Sequence, residues 1–63
     1  MGYKIKECRE EAHITQDELA RRAKVSRAII SGLESGRTTI TTTDTLRKIA
    51  DALGKKVSEI FLD

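Results

Sequence analysis

Proline and tryptophan are absent from this sequence of 63 residues, and cysteine, phenylalanine and tyrosine occur once each. A single cysteine excludes an internal disulfide, and no group of cysteine and histidine residues offers a zinc site. The scarcity of aromatic residues argues against a β-sandwich and against a surface that stacks single-stranded bases. A chain this short forms one domain with a small core, which depends on regular packing or self-association for its stability.

Long apolar runs and export signals are also missing. No stretch approaches the roughly 18 apolar residues that a membrane span requires, and no signal peptide precedes the first predicted helix. One thiol in a chain without an export signal is typical of a cytosolic protein. We therefore expect residues 1–63 to form a single cytoplasmic domain without a membrane partner.

The sequence contains none of the residue sets that usually carry out catalysis. It has no Ser-His-Asp combination, no pair of carboxylates in an apolar setting and no glycine-rich phosphate loop. Cys8 lies on an apolar stripe, which is typical of a buried small residue and not of a redox sensor. His13 has no partner for catalysis or metal binding. We expect no enzyme activity, no cofactor, no metal and no small-molecule substrate.

Positive charge is concentrated in one part of the chain. The whole sequence has a net charge of +2, but the segment 21–37 alone carries +4, so the remaining residues sum to −2. The cations of this segment are Arg21, Arg22, Lys24, Arg27 and Arg37, against the single anion Glu34. Such a local excess is the electrostatic footprint of a segment that faces phosphates.

Hydrophobic spacing predicts five helices and no strands. The second and third helices are short and joined by the turn Lys24-Val25-Ser26, which gives a helix-turn-helix unit over residues 16–35. The fourth helix has a regular apolar face and is followed by Gly54. The predicted helices cover Lys4–Ala12, Gln16–Ala23, Arg27–Ser35, a segment around Leu46–Leu53, and Val57–Leu62.

Polar residues and glycine mark the helix ends. Thr15 and Glu18 have the spacing of a capping box, Ser26 is a suitable N-cap for the third helix, and Gly36 is a suitable residue to end it. Threonine disfavours a helix interior, so the threonine-rich segment 38–43 is predicted to be a loop, with a strand as the alternative. The loop ends at Thr41 or Thr42, either of which would cap the fourth helix.

Taken in order, these elements resemble the lambda-repressor/Cro-like (XRE) helix-turn-helix family. The resemblance covers nearly all of the chain and departs from the family at Lys24, where a glycine is usual. It implies a compact all-α, five-helix fold that binds double-stranded DNA sequence-specifically as a homodimer and regulates transcription as a repressor, in a prokaryotic or phage-type, nucleoid-associated setting. The matching stretches are Ile5–Glu11, Ile14–Ala20, Val25–Arg27, Ile30–Ser31, Leu33–Arg37 and Leu46–Gly54.

The resemblance also implies roles for individual residues. The helix 27–35 would enter the major groove, and we expect its exposed face to read bases. Arg27 is the strongest candidate, because a guanidinium can pair with two acceptors of guanine; the alternative is a phosphate contact. The expected base-reading residues are Arg27, Ala28, Ser31 and Gly32.

Phosphate contacts are expected at the start of the second helix and after the third. For Gln16 the alternative is an ordinary residue of a first helical turn, and for Arg37 it is a solvated charge. The family further implies an ion pair between Arg9 and Glu34 that clamps the recognition helix to the domain. The expected phosphate-binding residues are Thr15, Gln16, Ser26, Gly36, Arg37 and Thr38.

The sequence leaves two other functions open, as well as the role of the apolar tail. The domain could be an antitoxin-type protein that binds a partner toxin and represses secondarily, or an interaction module that contacts only protein. The apolar tail Ile60-Phe61-Leu62 could form the surface of a homodimer or pack onto the domain's own core.

Overall fold

The computed structural model describes residues 2–37 and 41–62, without the side chains of Gly2, Phe61 and Leu62. Within these residues the chain forms four α-helices, one 3-10 helix and one antiparallel pair of very short strands. The elements in chain order are β1 (Gly2–Tyr3), α1 (Ile5–Glu11), α2 (Gln16–Ala23), α3 (Arg27–Ser35), α4 (Thr43–Leu53), the 3-10 helix (Val57–Ile60) and β2 (Phe61–Leu62).

The prediction of five α-helices without strands is wrong at the C-terminal end. The predicted fifth helix is a single 3-10 turn followed by β2, which pairs with β1 so that Gly2 lies opposite Leu62. The amide of Lys4 extends the contact by donating to the carbonyl of Ile60 at 2.7 Å. The pairing joins the two ends of the chain, and local periodicity therefore carries no signal for it.

The bounds of α2 and α3 agree with the prediction, because their caps form. Thr15 Oγ1 accepts a hydrogen bond from the amide of Glu18 at 3.1 Å, and Ser26 Oγ accepts one from the amide of Ile29 at 3.2 Å. The capping box is only half formed among the described contacts, since the carboxylate of Glu18 binds arginines of its own helix instead of the Thr15 amide. Gly36 ends α3 with a φ of 82°.

The other two helices differ slightly from expectation. Thr42 caps α4 by accepting from the amide of Thr45 at 3.1 Å, so the choice between Thr41 and Thr42 falls on the latter. Of the predicted threonine-rich loop, residues 38–40 lie outside the described residues. α1 is shorter than predicted, and Ala12 is an exposed C-cap residue instead of the last member of the apolar stripe.

One apolar core joins all the helices. α2 packs against both α3 and α4, and Val25 of the turn lies partly buried against the core. Ile60 is fully buried, so this residue of the tail packs onto the domain itself. No helix formed by residues 2–37 and 41–62 has the length and hydrophobicity of a membrane span. The buried core residues are Ile5, Cys8, Leu19, Ala20, Ala23, Ile30, Leu33, Leu46, Ile49, Ala50 and Ile60.

Candidate nucleic-acid interface

The turn between α2 and α3 sets the angle of the candidate recognition helix. Lys24 adopts a left-handed conformation with φ 59° and ψ 40°, although it is not a glycine. The amide of Val25 then donates to the carbonyl of Ala20 at 3.0 Å. A left-handed residue reverses the chain within one position, but a side chain makes that conformation cost about 1–2 kcal/mol. The core contacts of α2 and α3 must therefore hold the turn in place.

The two faces of α3 have different surroundings. Ile30 is fully buried and Leu33 is only 3% exposed. Arg27 and Ala28 are exposed, while Ser31 is partly exposed. A helix held by one face and open on the other has the form that major-groove recognition requires.

The prediction that Gly32 belongs to the exposed face of α3 is wrong. Gly32 is buried in the structure. A glycine within a helix offers only backbone atoms, and neighbouring side chains cover them; Ser35 Oγ donates to the Gly32 carbonyl at 3.3 Å. Three of the four expected base-reading residues thus remain on the accessible face.

An almost buried ion pair connects α1 to the end of α3. Arg9 Nε donates to Glu34 Oε2 at 2.8 Å and Arg9 Nη2 donates to Glu34 Oε1 at 3.2 Å, with side-chain exposures of 13% and 4%. The third group of the guanidinium, Nη1, donates to the carbonyl of Ile14 at 2.8 Å. The hydrogen bond to the Glu34 carboxylate raises the pKa of Arg9 against the opposing effect of burial.

Gln16 belongs to the same polar network. Its Nε2 donates to Glu34 Oε1 at 3.0 Å, so the first residue of α2 is tied to the last turn of α3. One hydrogen of the side-chain amide nitrogen is used in this contact, and the second is left for another acceptor. The backbone amides at the start of α2 add further donors, because the first turn of a helix has no carbonyl partners for them.

Arg27 is oriented by a contact with α2. Its Nη1 lies 3.4 Å from Asp17 Oδ1, and the two side chains are 64% and 73% exposed. A pair this exposed is weak, typically below about 1 kcal/mol. The guanidinium therefore stays available to a stronger partner.

Arg37 folds back over the outer end of α3. Its Nε donates to Ser35 Oγ at 3.1 Å and its Nη2 donates to Ser31 Oγ at 3.1 Å. The structure thus brings a predicted phosphate-binding residue into contact with a predicted base-reading residue. Thr38, the next predicted phosphate contact, lies outside the described residues.

A shallow polar pocket of about 290 Å³ lies beside this face of α3. Within the part of the chain that the structure describes, no group of three or more His, Cys, Asp or Glu residues could hold a metal ion. The pocket is lined by Lys6, Arg9, Gln16, Ser31, Glu34 and Ser35.

Two residues of the site were not predicted from the sequence. Asp17 contacts Arg27 across ten positions of sequence, and Ser35 contacts both Gly32 and Arg37. Asp17 looks like an ordinary acidic residue of a first helical turn, where it suits the helix dipole. Its contact with Arg27 depends on the angle between α2 and α3, which the sequence does not give.

One of three comparisons with known proteins identifies a family that agrees with the observed fold. A family model described as helix-turn-helix matches residues 5–60, which is most of the chain. No curated protein and no solved structure matches the chain.

Proposed function

The chain belongs to the lambda-repressor/Cro-like (XRE) helix-turn-helix family, and from that premise we propose that it represses transcription by binding specific DNA sites with α3 in the major groove. The family is one of DNA-binding regulatory domains. The observation that carries the proposal is the asymmetry of α3: Ile30 is buried, while Arg27 and Ala28 are exposed beside it.

In this proposal the outer face of α3 reads bases. Arg27 pairs with the O6 and N7 acceptors of a guanine, which is worth about 1–3 kcal/mol of discrimination. Ala28 meets a thymine methyl group, and Ser31 forms one hydrogen bond to a base edge. So small a set of reading side chains leaves part of the specificity to the shape of the DNA.

Phosphate contacts on both sides of α3 fix its register in the groove. At the start of α2, the free hydrogen of the Gln16 side chain and the uncompensated backbone amides suit a phosphate oxygen. Beyond α3, Arg37 keeps unused guanidinium hydrogens for a second phosphate. We assign phosphate contacts to Thr15, Gln16, Ser26, Gly36, Arg37 and Thr38.

A single domain of this size buries little DNA surface, so we propose that two copies bind half-sites about one helical turn apart. Ile60 is buried in the domain's own core, and the contact between copies must therefore use other residues. Measurement of the mass of the protein–DNA complex tests this part: one copy per operator at micromolar protein contradicts it.

Binding to duplex DNA at several salt concentrations tests the main proposal. The logarithm of the affinity should fall with the logarithm of the salt concentration by about 0.9 per phosphate contact, and Arg27→Ala should reduce the preference for the selected site. Arg47→Ala serves as a control, because it also removes an exposed arginine, but from α4. A flat salt response would instead favour a domain that contacts only protein.

A further inference from the structure

We propose that Arg37 is a specificity-determining residue that acts through Ser31, by favouring the Ser31 hydroxyl as a hydrogen-bond donor to the DNA bases. This inference rests on the proposed function, since it concerns the same face of α3. It assigns to Arg37 a role beyond a phosphate contact, and it determines which kind of base atom Ser31 prefers.

The first step is the hydrogen bond between the two side chains. Arg37 Nη2 lies 3.1 Å from Ser31 Oγ, and a guanidinium can only donate. The oxygen of Ser31 is therefore an acceptor in this contact. A hydroxyl usually adapts to either kind of partner, because it has one hydrogen and two lone pairs. Here one lone pair is occupied by a cationic donor, which makes the oxygen a weaker acceptor for a second donor.

The second step concerns the hydrogen of the Ser31 hydroxyl. Serine within a helix often donates to a carbonyl of the preceding turn. Among residues 2–37 and 41–62, no acceptor for Ser31 Oγ is found, and its hydrogen is left for an external partner. A hydroxyl whose oxygen accepts a hydrogen bond from a cation also donates its own hydrogen more strongly, because hydrogen bonds polarise one another along a chain.

Ser35 keeps Arg37 in the position that this requires. Its hydroxyl donates to the carbonyl of Gly32 at 3.3 Å and accepts from Arg37 Nε at 3.1 Å. Both functions of the Ser35 hydroxyl are thus occupied within the protein. The two serines differ in this respect: Ser35 supports Arg37, whereas the donor function of Ser31 has no partner among the described residues. Contacts with other described residues use two of the five guanidinium hydrogens of Arg37, and the others suit a phosphate.

The consequence for recognition follows from the major-groove edges of the bases. Guanine and adenine offer N7, guanine also offers O6, and thymine offers O4, whereas cytosine offers only its N4 donor. A Ser31 hydroxyl whose oxygen already accepts from a cation donates more readily than it accepts a second hydrogen bond, so it favours the first three bases over cytosine on the contacted strand. Without Arg37, both lone pairs of the same hydroxyl are open to cytosine N4 and no cation weakens them as acceptors, so this discrimination is lost.

Selection of binding sites from a random duplex library tests the proposal, with wild type, Ser31→Ala and Arg37→Lys compared. Ser31→Ala identifies the base pair that Ser31 contacts. At that pair, the wild type should disfavour cytosine by roughly fivefold, the effect of about one hydrogen bond. Arg37→Lys keeps the charge but not the paired contacts of the guanidinium with Ser31 and Ser35. This variant should lose the preference against cytosine at that base pair, while the preferences at the other base pairs stay unchanged. In the Ser31→Ala background, Arg37→Lys should cause no further change at this position.

Three results would overturn the inference: no base pair responds to Ser31→Ala, Arg37→Lys leaves the preference at that pair intact, or it weakens binding to every sequence equally. The last result would leave Arg37 as a phosphate contact only. Failure of the proposed function looks different, because the wild type would then select no sequence at all. Thermal unfolding of each variant must match that of the wild type, which ensures that a lost preference comes from the interface.

Discussion

On its inner side, α3 is fixed by Ile30 in the core and by Glu34, whose carboxylate is 4% exposed and bound to Arg9 at 2.8 Å. On its outer side, Arg27 approaches Asp17 at 3.4 Å through side chains that are 64% and 73% exposed. Both sides use an arginine and a carboxylate, but burial gives the two pairs different roles. The inner pair is largely shielded from water and fixes the geometry, whereas the outer pair remains solvated and can exchange its partner for DNA.

The largest expected effect comes from replacing each of two neighbouring isoleucines in α3 by alanine. Ile30 is fully buried and Ile29 is 37% exposed. Ile30→Ala should lower the free energy of unfolding by about 2–5 kcal/mol, a large share of the roughly 5–15 kcal/mol available to a domain. Ile29→Ala should cost less than about 1 kcal/mol. Urea denaturation measures both, and Ile30→Val, expected to lose about 0.5–1.5 kcal/mol, serves if the alanine variant does not fold. Equal losses at the two positions would remove the distinction between the faces.

The two ion pairs provide the next test. Arg9→Ala leaves the Glu34 carboxylate nearly buried without its cation, and it should cost about 2–3 kcal/mol of stability. Arg27→Ala should cost less than about 1 kcal/mol, because water replaces the lost contact, while it reduces the discrimination between DNA sites. Chemical denaturation and DNA binding are measured on both variants. A stability loss for Arg27→Ala as large as that for Arg9→Ala would show that the outer pair is also structural.

The turn that joins α2 to α3 gives a smaller effect of opposite sign. Lys24→Gly should raise the free energy of unfolding by about 1 kcal/mol, since glycine adopts φ near 59° without the cost of a side chain. Ala12→Gly is the matched control. Ala12 has an ordinary φ of −83°, so the added freedom of the unfolded chain should lower the stability there. A loss of stability for Lys24→Gly would indicate that the Lys24 side chain makes a contact that outweighs the strain.

The smallest expected effect concerns the exposed pairs within α2. Hydrogen bonds from Arg22 and Arg21 lower the pKa of Glu18 below its usual range. A carboxylate with a lowered pKa adds stability that is fully present above the pKa of the unfolded chain and is lost as the pH falls through the folded pKa. The difference in melting temperature between the wild type and Glu18→Gln should therefore be present at neutral pH and disappear in acid. A difference in melting temperature that is the same at neutral and at acidic pH would contradict this role of the Glu18 carboxylate.

Helix ends were predictable where one side chain decides them locally. Thr15, Ser26 and Gly36 gave the bounds of α2 and α3, since a cap acts within three or four residues of its own position. The pairing of β1 with β2 was missed because it joins the two ends of the chain. The 3-10 helix was mistaken for an α-helix, because its apolar residues fit either element over so short a segment.

The charge of the candidate site was predictable from the sequence, whereas most of its contacts were not. The contact between Arg9 and Glu34 came from family resemblance, and the positive charge of the segment 21–37 came from a count of residues. The contact of Gln16 with Glu34 and that of Arg27 with Asp17 depend on the angle between helices. Gly32 was misassigned because helical position alone does not tell whether neighbouring side chains cover a glycine backbone.

The buried position of Cys8 gives the protein an internal reporter of its own opening. It is the only cysteine in the sequence, and it is 8% exposed at the point where α1 enters the core. A thiol reagent can reach it only when that part of the core separates from the rest. Under conditions in which closing is faster than modification, the labelling rate measures the population of the open form. The unmodified protein can thus report how often α1 detaches, with and without DNA, and no added label disturbs the small core.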